Sequence, residues 1–411
     1  MKAAAPVALI AIALAAPLAV ASTWTIFSQV MDEPAHVGAG MEWLAAGTYT
    51  IEAQHPPLAR IAFAVGPRLL GIPFVEGSLL GTGNRILHHG GEYRKNLAAA
   101  RAGNLPFLLL AIVSVAALAR RLGGPAAALA AALLFATLPP ILAHAGVATT
   151  DLPLTATLAA SLWAFDAWLE RKSLARTILL GLAVGAALST KLSALGYLPA
   201  AMLPLLAAWI VERRGGPREQ PRARELRRDL AAVIAAAAAF LLVWGALRFS
   251  VGPLVSEESL RRADDASRSA ATLRWMRANV RVPAPEFFWG VQELGEHTEV
   301  GHLAYLRGES SMHGWLSYFP IAIALKTPIP FLILSLAGFV LALARARRGE
   351  WRPLGVAAGA AAILAVAMTS SINIGIRHVL PIYPLLAVVA GWWCGAALRL
   401  GRGGEEESVA T

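Results

Sequence analysis

The sequence predicts an all-α polytopic membrane protein, and three observations carry that reading. Of the 411 residues 57% are hydrophobic and only 15% are charged, whereas a soluble domain has roughly 25% charged residues. Mean hydropathy is +0.57, and the apolar excess is collected in long uninterrupted runs instead of one face of amphipathic segments. Basic residues gather in short stretches between those runs, as positive-inside topology requires. A soluble enzyme, a disordered chain and a fibrous repeat are all excluded.

A span takes about 20 apolar residues at 1.5 Å each to cross roughly 30 Å of hydrocarbon. The stretches 5–27, 102–119, 125–142, 152–169, 175–189, 193–211, 229–250, 328–345, 353–370 and 379–400 qualify, giving about ten transmembrane helices. They are rich in Ala and Gly, which lets helix backbones approach closely in lipid. Ala19-Val20-Ala21 resembles a signal-peptide cleavage site, but the apolar stretch before it is longer than a usual signal core, so it is read as a retained span. With Lys2 inside, the clusters Arg120/Arg121, Arg171/Lys172/Arg176, Arg213–Arg228, Arg345/Arg347/Arg348 and Arg399/Arg402 all fall on the cytoplasmic side. Both termini then lie inside. Residues 1–404 are expected to form one membrane domain, and 405–411, with Glu405-Glu406-Glu407, a short cytoplasmic tail.

Topology also accounts for the net charge of +10, and no nucleic-acid motif accompanies it. The single cysteine, Cys394, lies in an apolar run and excludes an intramolecular disulfide or a Cys-based metal site. His88-His89 alone is too small a ligand set for a metal. No metal site and no cofactor are expected; a divalent metal is conceivable but unsupported.

Two long loops, 28–101 and 251–314, face outward and, with the shorter outer loops, carry all nine histidines. A transporter would place its polar groups near mid-membrane, often in two similar halves, and no such repeat is present. In the first loop, Asp32-Glu33-Pro34-Ala35-His36 predicts a helix from Pro34 to about Ala46, with Asp32 as a candidate N-cap. Val37, Met41 and Leu44 form an apolar stripe that could lie in the interface plane. Asp32 and Glu33 would sit at the positive helix end, just above the membrane. HExxH zinc chemistry is excluded because position 32 is Asp. His55-Pro56-Pro57-Leu58-Ala59-Arg60 follows; its prolines stiffen the turn and fix where His55 and Arg60 point, and a second helix runs on through Leu70.

The pattern Asp-Glu-x-x-His-x-Gly, then Gly47-Thr48-Tyr49, then His-Pro-Pro-Leu-Ala-Arg resembles the first external loop of the dolichyl-phosphate-mannose protein mannosyltransferases. It also resembles their bacterial relatives, the aminoarabinose transferases, within the GT-C superfamily. Further matches follow in order: Thr150-Asp151-Leu152-Pro153, Ser189-Thr190-Lys191-Leu192-Ser193, Gly314-Trp315 through Tyr318-Phe319-Pro320, Lys326-Thr327-Pro328, and Asn373 through Arg377-His378 to Pro384. The resemblance implies a GT-C-like bundle with interfacial helices in the first external loop. It implies an inverting transferase that moves a sugar, a hexose such as mannose, from a polyprenyl-phosphate carrier to a hydroxyl of a protein, lipid or glycan outside the membrane. Asp32 is the implied base, with Glu33 beside it. The implied location is a bacterial inner membrane with the site facing the periplasm. This chain departs from the family in placing His36 one residue further from Asp-Glu, and in a second outer loop of only about 60 residues.

Elementary chemistry asks for the same parts. Polyprenyl phosphate leaves readily, so the reaction needs a base for the acceptor and fixed positive charge on the phosphate. Of five lysines, Lys191 and Lys326 border outer segments, and Arg377 and His378 head the last span; ionisable groups at that depth are costly unless functional or paired. These four and His55 are phosphate candidates. His36, Arg60 and Asp151 are further substrate-binding candidates, Asp151 alternatively a helix cap, and Tyr318, with Tyr305, Glu309, His313 and Trp315, a candidate for the sugar or acceptor side. A transporter or lipid flippase using the same charges as a path is the competing function, and a non-catalytic assembly subunit a third.

Overall fold

The structure, a computed structural model, describes residues 4–214, 226–262 and 268–409. An apolar helix α1 (Ala4–Ala21) leads into a compact outer layer of α2 (Asp32–Ala45), α3 (Pro57–Leu69), α4 (Leu79–Leu87) and α5 (Tyr93–Ala102). The bundle continues with α6 (Leu105–Ala136), a short α7 (Pro139–Ala145), α8 (Asp151–Glu170), α9 (Leu174–Leu188), α10 (Ala194–Arg214) and α11 (Arg228–Ala246). A second outer segment holds α12 (Glu257–Arg262), α13 (Arg268–Asn279), α14 (Pro285–Val300) and α15 (Tyr318–Lys326). The chain then returns to the bundle through α16 (Ile329–Ala346), α17 (Arg352–Met368) and α18 (Ile382–Val409). Two small antiparallel pairs, β1 (Val251–Pro253) with β2 (Arg281–Pro283) and β3 (Ala304–Leu306) with β4 (Glu309–Ser311), brace the second outer segment.

This is an all-α polytopic membrane fold. Segments of α6, α8, α10, α11, α16 and α18 are long and apolar enough to cross a membrane, and α1, α9 and α17 are shorter apolar helices. Most of two expected spans, 102–119 and 125–142, falls in α6, which is a hairpin of two helical arms. Gly124 takes φ 77°, ψ −167° and is followed by Pro125. A straight helix of 32 residues would reach about 48 Å, yet Asn104, just before it, donates to the Val147 carbonyl at 2.8 Å. The chain therefore doubles back at Gly124.

Small residues set the helix spacing. Gly391 of α18 lies against the backbone of Ala131 in the returning arm of α6, where a Cβ would come within 2.4 Å of the Ala131 nitrogen. Close backbone approach of this kind is how helices associate when lipid is as apolar as their side chains. α8 is buried on nearly every side, while Val233 and Leu241 of α11 and Ile333 and Leu336 of α16 point outward as an apolar belt. At the end of the bundle away from the outer layer, buried Asp166 of α8 accepts from Arg121 of α6 and from Arg352 of α17, the latter at 2.7 Å. Glu170 joins both arginines at 2.8 and 3.0 Å. Arg121, expected only as a topology signal, is thus also a clamp across three helices. The basic loop Arg213–Arg228 falls largely on 215–225, outside the described residues, as do 410 and 411 of the expected tail.

Two local expectations are corrected. The first-loop helix begins at Asp32, two residues early, with Met31 at the cap position and no side-chain cap. Its stripe of Val37 and Met41 does not lie on lipid: both are fully buried against Phe63, Ile86 and Leu97. The other helices of the same loop cover that stripe, so burial within protein replaces burial at the interface.

Replacing Gly391 with Val should lower stability by about 1–3 kcal/mol through overpacking against α6. Gly295→Ala, inside α14 where a Cβ meets nothing within 4 Å, should cost nothing and raise stability by up to about 1 kcal/mol. Thermal melts of the two purified variants check this, and equal melts would remove the close contact as a determinant of the bundle.

Candidate active site

A cavity of about 480 Å³ opens where the outer layer meets the bundle, and it gathers Asp32, His36, His55, Asp151, Lys191, Arg377 and His378. That volume is in the range that holds small ligands. They arrive on several separate elements, each for a local reason.

Asp32 and Glu33 open α2, and successive helical side chains point about 100° apart. Asp32 faces the cavity and pairs with Arg377, both side chains remaining partly exposed. Glu33 faces the opposite way and is fully buried. Its two oxygens accept from Arg101 at 2.8 and 2.9 Å, and the backbone N–H groups of Val30 and Ala148 each donate to it at 2.8 Å. The expected pairing of Glu33 with Asp32 in the reacting centre is therefore corrected: its oxygens are taken up by four donors, and it does not line the cavity.

His36 lies one turn after Asp32 on the same face. Arg60 Nε donates to its Nδ1 at 3.1 Å, which leaves the imidazole neutral with its proton on Nε2. Arg60 is completely buried and pairs with Glu52; its Nη1 also donates to the Tyr49 hydroxyl and to the Glu52 carbonyl, each at 2.9 Å. Although Arg60 reaches the cavity wall, its guanidinium is spent on holding the 49–55 loop in shape. The Tyr49 hydroxyl donates to the His55 carbonyl, and the His55 ring stands edge-on to His36 at 5.2 Å.

The prolines of His55-Pro56-Pro57 end the extended loop and start α3. The next N–H, of Leu58, donates to the Ser189 carbonyl at 2.9 Å. That bond ties the first outer loop to the turn carrying Lys191, whose Nζ donates to Asp151 Oδ1 at 2.6 Å. Asp151 starts α8 as an ion-pair partner; no side chain caps that helix. Arg377 and His378 stand in a 3-10 turn, Ile376–Val379. The His378 carbonyl accepts from the Tyr197 hydroxyl at 2.9 Å, and Trp315 N–H donates to Asn373 Oδ1 at 2.7 Å, joining two of the sequence motifs.

Two expected residues stand elsewhere. Lys326, at the end of α15, is exposed and does not line the cavity. Tyr318 is half-buried and packs edge-to-face on Phe319 at 5.3 Å; Phe319, not Tyr318, reaches the cavity. Tyr305 and Glu309 lie exposed on the β3–β4 hairpin. Conversely, Glu52, Tyr197 and Arg101 were not singled out from sequence. Arg101 had a usable signal, since it is a cation at the end of an apolar run that the expected topology turns outward, against the positive-inside pattern.

The cavity carries three carboxylates (Asp32, Glu52, Asp151) and three cations (Arg60, Lys191, Arg377), so its formal charge is balanced. Burial, then the Lys191 charge, holds the His55 imidazole down to about 4, and the same two causes hold His378 well below the usual histidine value. For His36 burial acts first and Arg60 second. Three neutral histidines therefore line a site whose fixed charges are paired. A second chamber of about 980 Å³ opens outward and shares Glu52, Gln54, His297 and His302 with the first as a common neck. Among the described residues no three His, Cys, Asp or Glu side chains converge as a metal site.

The sequence profile of dolichyl-phosphate-mannose-protein mannosyltransferase matches residues 94–215. In three dimensions the chain is similar to ArnT from Cupriavidus metallidurans bound to undecaprenyl phosphate, with a TM-score of 0.57 at 18% identity over 93% of this chain and 59% of that one. It is also similar to the archaeal oligosaccharyltransferase AglB from Archaeoglobus fulgidus in complex with an inhibitory peptide and a dolichol-phosphate: TM-score 0.59, 14% identity, 99% of this chain and 52% of that one. The chain thus spans between half and three-fifths of the length of these structures, and at such identities the likeness is one of fold. No curated protein matches the chain in sequence.

The histidines give the site a pH signature. A histidine held below its ordinary value of 6.5 binds a proton in the unfolded chain before it does in the folded one. Stability therefore falls as pH drops from about 6.5 towards 4, and this contribution is flat above 6.5. The melting temperature should decline over that window, less steeply in His55→Gln. A wild-type melt unchanged between pH 7 and pH 4.5 would show that these rings are not held neutral.

Proposed function

On the fold it shares with the GT-C membrane glycosyltransferases, we propose that this chain transfers a sugar from a polyprenyl-phosphate carrier to an acceptor hydroxyl outside the membrane. The observation that carries the reading is the cavity itself. One face presents a carboxylate, Asp32, beside Arg377, and the other presents Lys191 beside Asp151, at the border of an apolar bundle. Its fold neighbours support the substrate class, since ArnT is bound to undecaprenyl phosphate and AglB to a dolichol-phosphate and a peptide. A transport path gains no such support: the ionisable groups of the cavity sit at one end, and the Asp166 clamp ties the helices together at the other.

In this mechanism Asp32 takes the proton of the acceptor hydroxyl as its oxygen forms the bond to the anomeric carbon. The bond from that carbon to the phosphate oxygen breaks, and its electron pair leaves with the phosphate. A single displacement inverts the anomeric centre. The phosphate passes from one negative charge to two, and Arg377 and Lys191 stand where that charge develops, in a partly dehydrated site where fixed charge counts most. His55 and His378, kept neutral, donate hydrogen bonds to the phosphate or the sugar. Glu33 positions these groups from outside the cavity, while Arg60 and Glu52, paired with each other in its wall, hold the 49–55 loop in shape. The acceptor enters through the outer chamber and its neck. The sugar is a hexose such as mannose, the acceptor a protein, lipid or glycan, and the membrane a bacterial inner membrane with the cavity facing the periplasm.

Asp32 and Glu33 separate in one experiment. Asp32→Asn should melt within about 1 kcal/mol of wild type, because its ion pair is partly exposed, while single-turnover transfer falls about 10²–10⁴-fold. Glu33→Gln leaves Arg101 as a buried charge without its partner and should cost about 3 kcal/mol in the melt. Transfer by Asp32→Asn at the wild-type rate would sink the mechanism.

Carrier binding separates the cations. Arg377→Gln and Lys191→Gln should each weaken binding of a polyprenyl-phosphate sugar by about 1.5–3 kcal/mol, the worth of a charge-assisted hydrogen bond. Lys326→Gln, at an exposed position outside the cavity, should weaken it far less. Isothermal titration of the three variants reads this directly, and a larger loss for Lys326 than for the other two would relocate the phosphate.

A further inference from the structure

At the opposite end of the bundle a second built cleft stands apart from the reacting site. It has a volume of about 590 Å³ and lies between the turn of α6, the end of α16 and α18. Arg345 and Arg399 lie 16 and 17 residues along α16 and α18 from Ile329 and Ile382, which places them about 25 Å from the cavity end of those helices. The wall between them is apolar, made by Leu122, Leu341 and Ala397, with the indoles of Trp392 and Trp393 beside it. Arg345 is half-buried and reaches Glu350 at 2.9 Å, whereas Arg399 has no ion-pair partner among the described residues. The cleft therefore carries two cations against one carboxylate. Neither Trp392 nor Trp393 has a protein acceptor for its indole N–H among the described residues.

We propose that this cleft binds a glycerophospholipid with an anionic headgroup, its phosphate held by Arg345 and Arg399 and one acyl chain laid along Leu122, Leu341 and Ala397. Basic pockets between helices at the end that positive-inside topology places in the cytoplasm suit such headgroups, and indoles settle at headgroup depth where one edge is wet and the other apolar. An ion alone would leave the apolar wall without a partner. The outward faces of α16 and α18, with Leu343 and Leu398 exposed, already present this region to lipid. The site is independent of the transfer reaction and stands or falls without it.

Native mass spectrometry of the full chain in detergent tests it, with phosphatidylglycerol and phosphatidylcholine of identical chains added at equal concentration. Two arginines near an anionic lipid predict retention of phosphatidylglycerol on the order of thirtyfold over phosphatidylcholine. The preference should largely vanish in Arg345→Gln/Arg399→Gln, and should persist in Arg347→Gln/Arg348→Gln, whose residues are exposed and outside the cleft. Ala396→Phe, which fills the cleft without changing its charge, should also reduce retention and guards against a charge variant that simply misfolds. Equal retention of both lipids by the wild type, or a preference untouched by both the charge and the filling variants, would overturn the proposal. So would displacement of the lipid by an equimolar amount of glycerol 3-phosphate, since that would make the cleft a site for a free anion.

Discussion

Moving a carboxylate and a guanidinium out of water costs several kcal/mol per ion, and their attraction repays this only when the remaining hydrogen-bonding capacity is also filled. The Glu33–Arg101 pair meets that condition. Arg101 donates to both Glu33 oxygens and to the carbonyls of Trp24, Phe27 and Ser28, while Glu33 also accepts from the N–H groups of Val30 and Ala148. One ion pair thereby joins the end of the first apolar segment, the start of α2, the end of α5 and the loop before α8. With Glu33 fixed in that direction, Asp32 has one remaining orientation, towards Arg377. The position of the proposed base is set by a residue that takes no part in the chemistry.

The same economy recurs around the cavity. Arg60 orders the 49–55 loop that carries His55, and the Leu58–Ser189 backbone bond carries that order to Lys191. Lys191 in turn holds Asp151 at the head of α8, the most enclosed helix of the bundle. At the other end Asp166 on the same helix gathers Arg121 and Arg352. α8 is therefore pinned by charge at both ends and by apolar contact between them, a rigid support of the kind that precise positioning of reacting groups requires.

Most of the fold was legible because its dominant signals are collective. Twenty-residue apolar runs and their basic flanks survive errors at individual positions, and every predicted span is helical, even where Gly124 hides a reversal inside one helical assignment. The cavity was legible for a different reason: Asp32, His36, His55, Asp151, Lys191, Arg377 and His378 are ionisable groups in short segments between apolar runs, where such groups stand out. Direction was not legible. Adjacent acidic residues in a helix look like a pair in sequence, yet the 100° between them sends one to the cavity and the other to Arg101. The apolar stripe of α2 carried the same ambiguity, because periodicity reports an apolar partner without saying whether that partner is lipid or protein. Lys326 shared the border position of Lys191, but only a partner across the chain, here Asp151, distinguishes a cation turned into the site from one turned out of it.

The charge balance of the cavity bears on how the proposed reaction would be timed. Its three carboxylates and three cations are matched, so a phosphodiester carrier adds one negative charge and its cleavage adds another. Arg377 and Lys191 cannot serve the phosphate fully while each is committed to a carboxylate. A phosphate that draws Arg377 towards itself loosens that guanidinium from Asp32, and the carboxylate then faces the acceptor with a free oxygen. Lys191 is the less available of the two, because Asp151 is only 3% exposed and would be left uncompensated in a buried place. The partly exposed pair can exchange partners at small cost, whereas the buried pair resists exchange. In this scheme Arg377 is the moving contact and Lys191 the fixed one, so that docking of the carrier and exposure of the base become a single event.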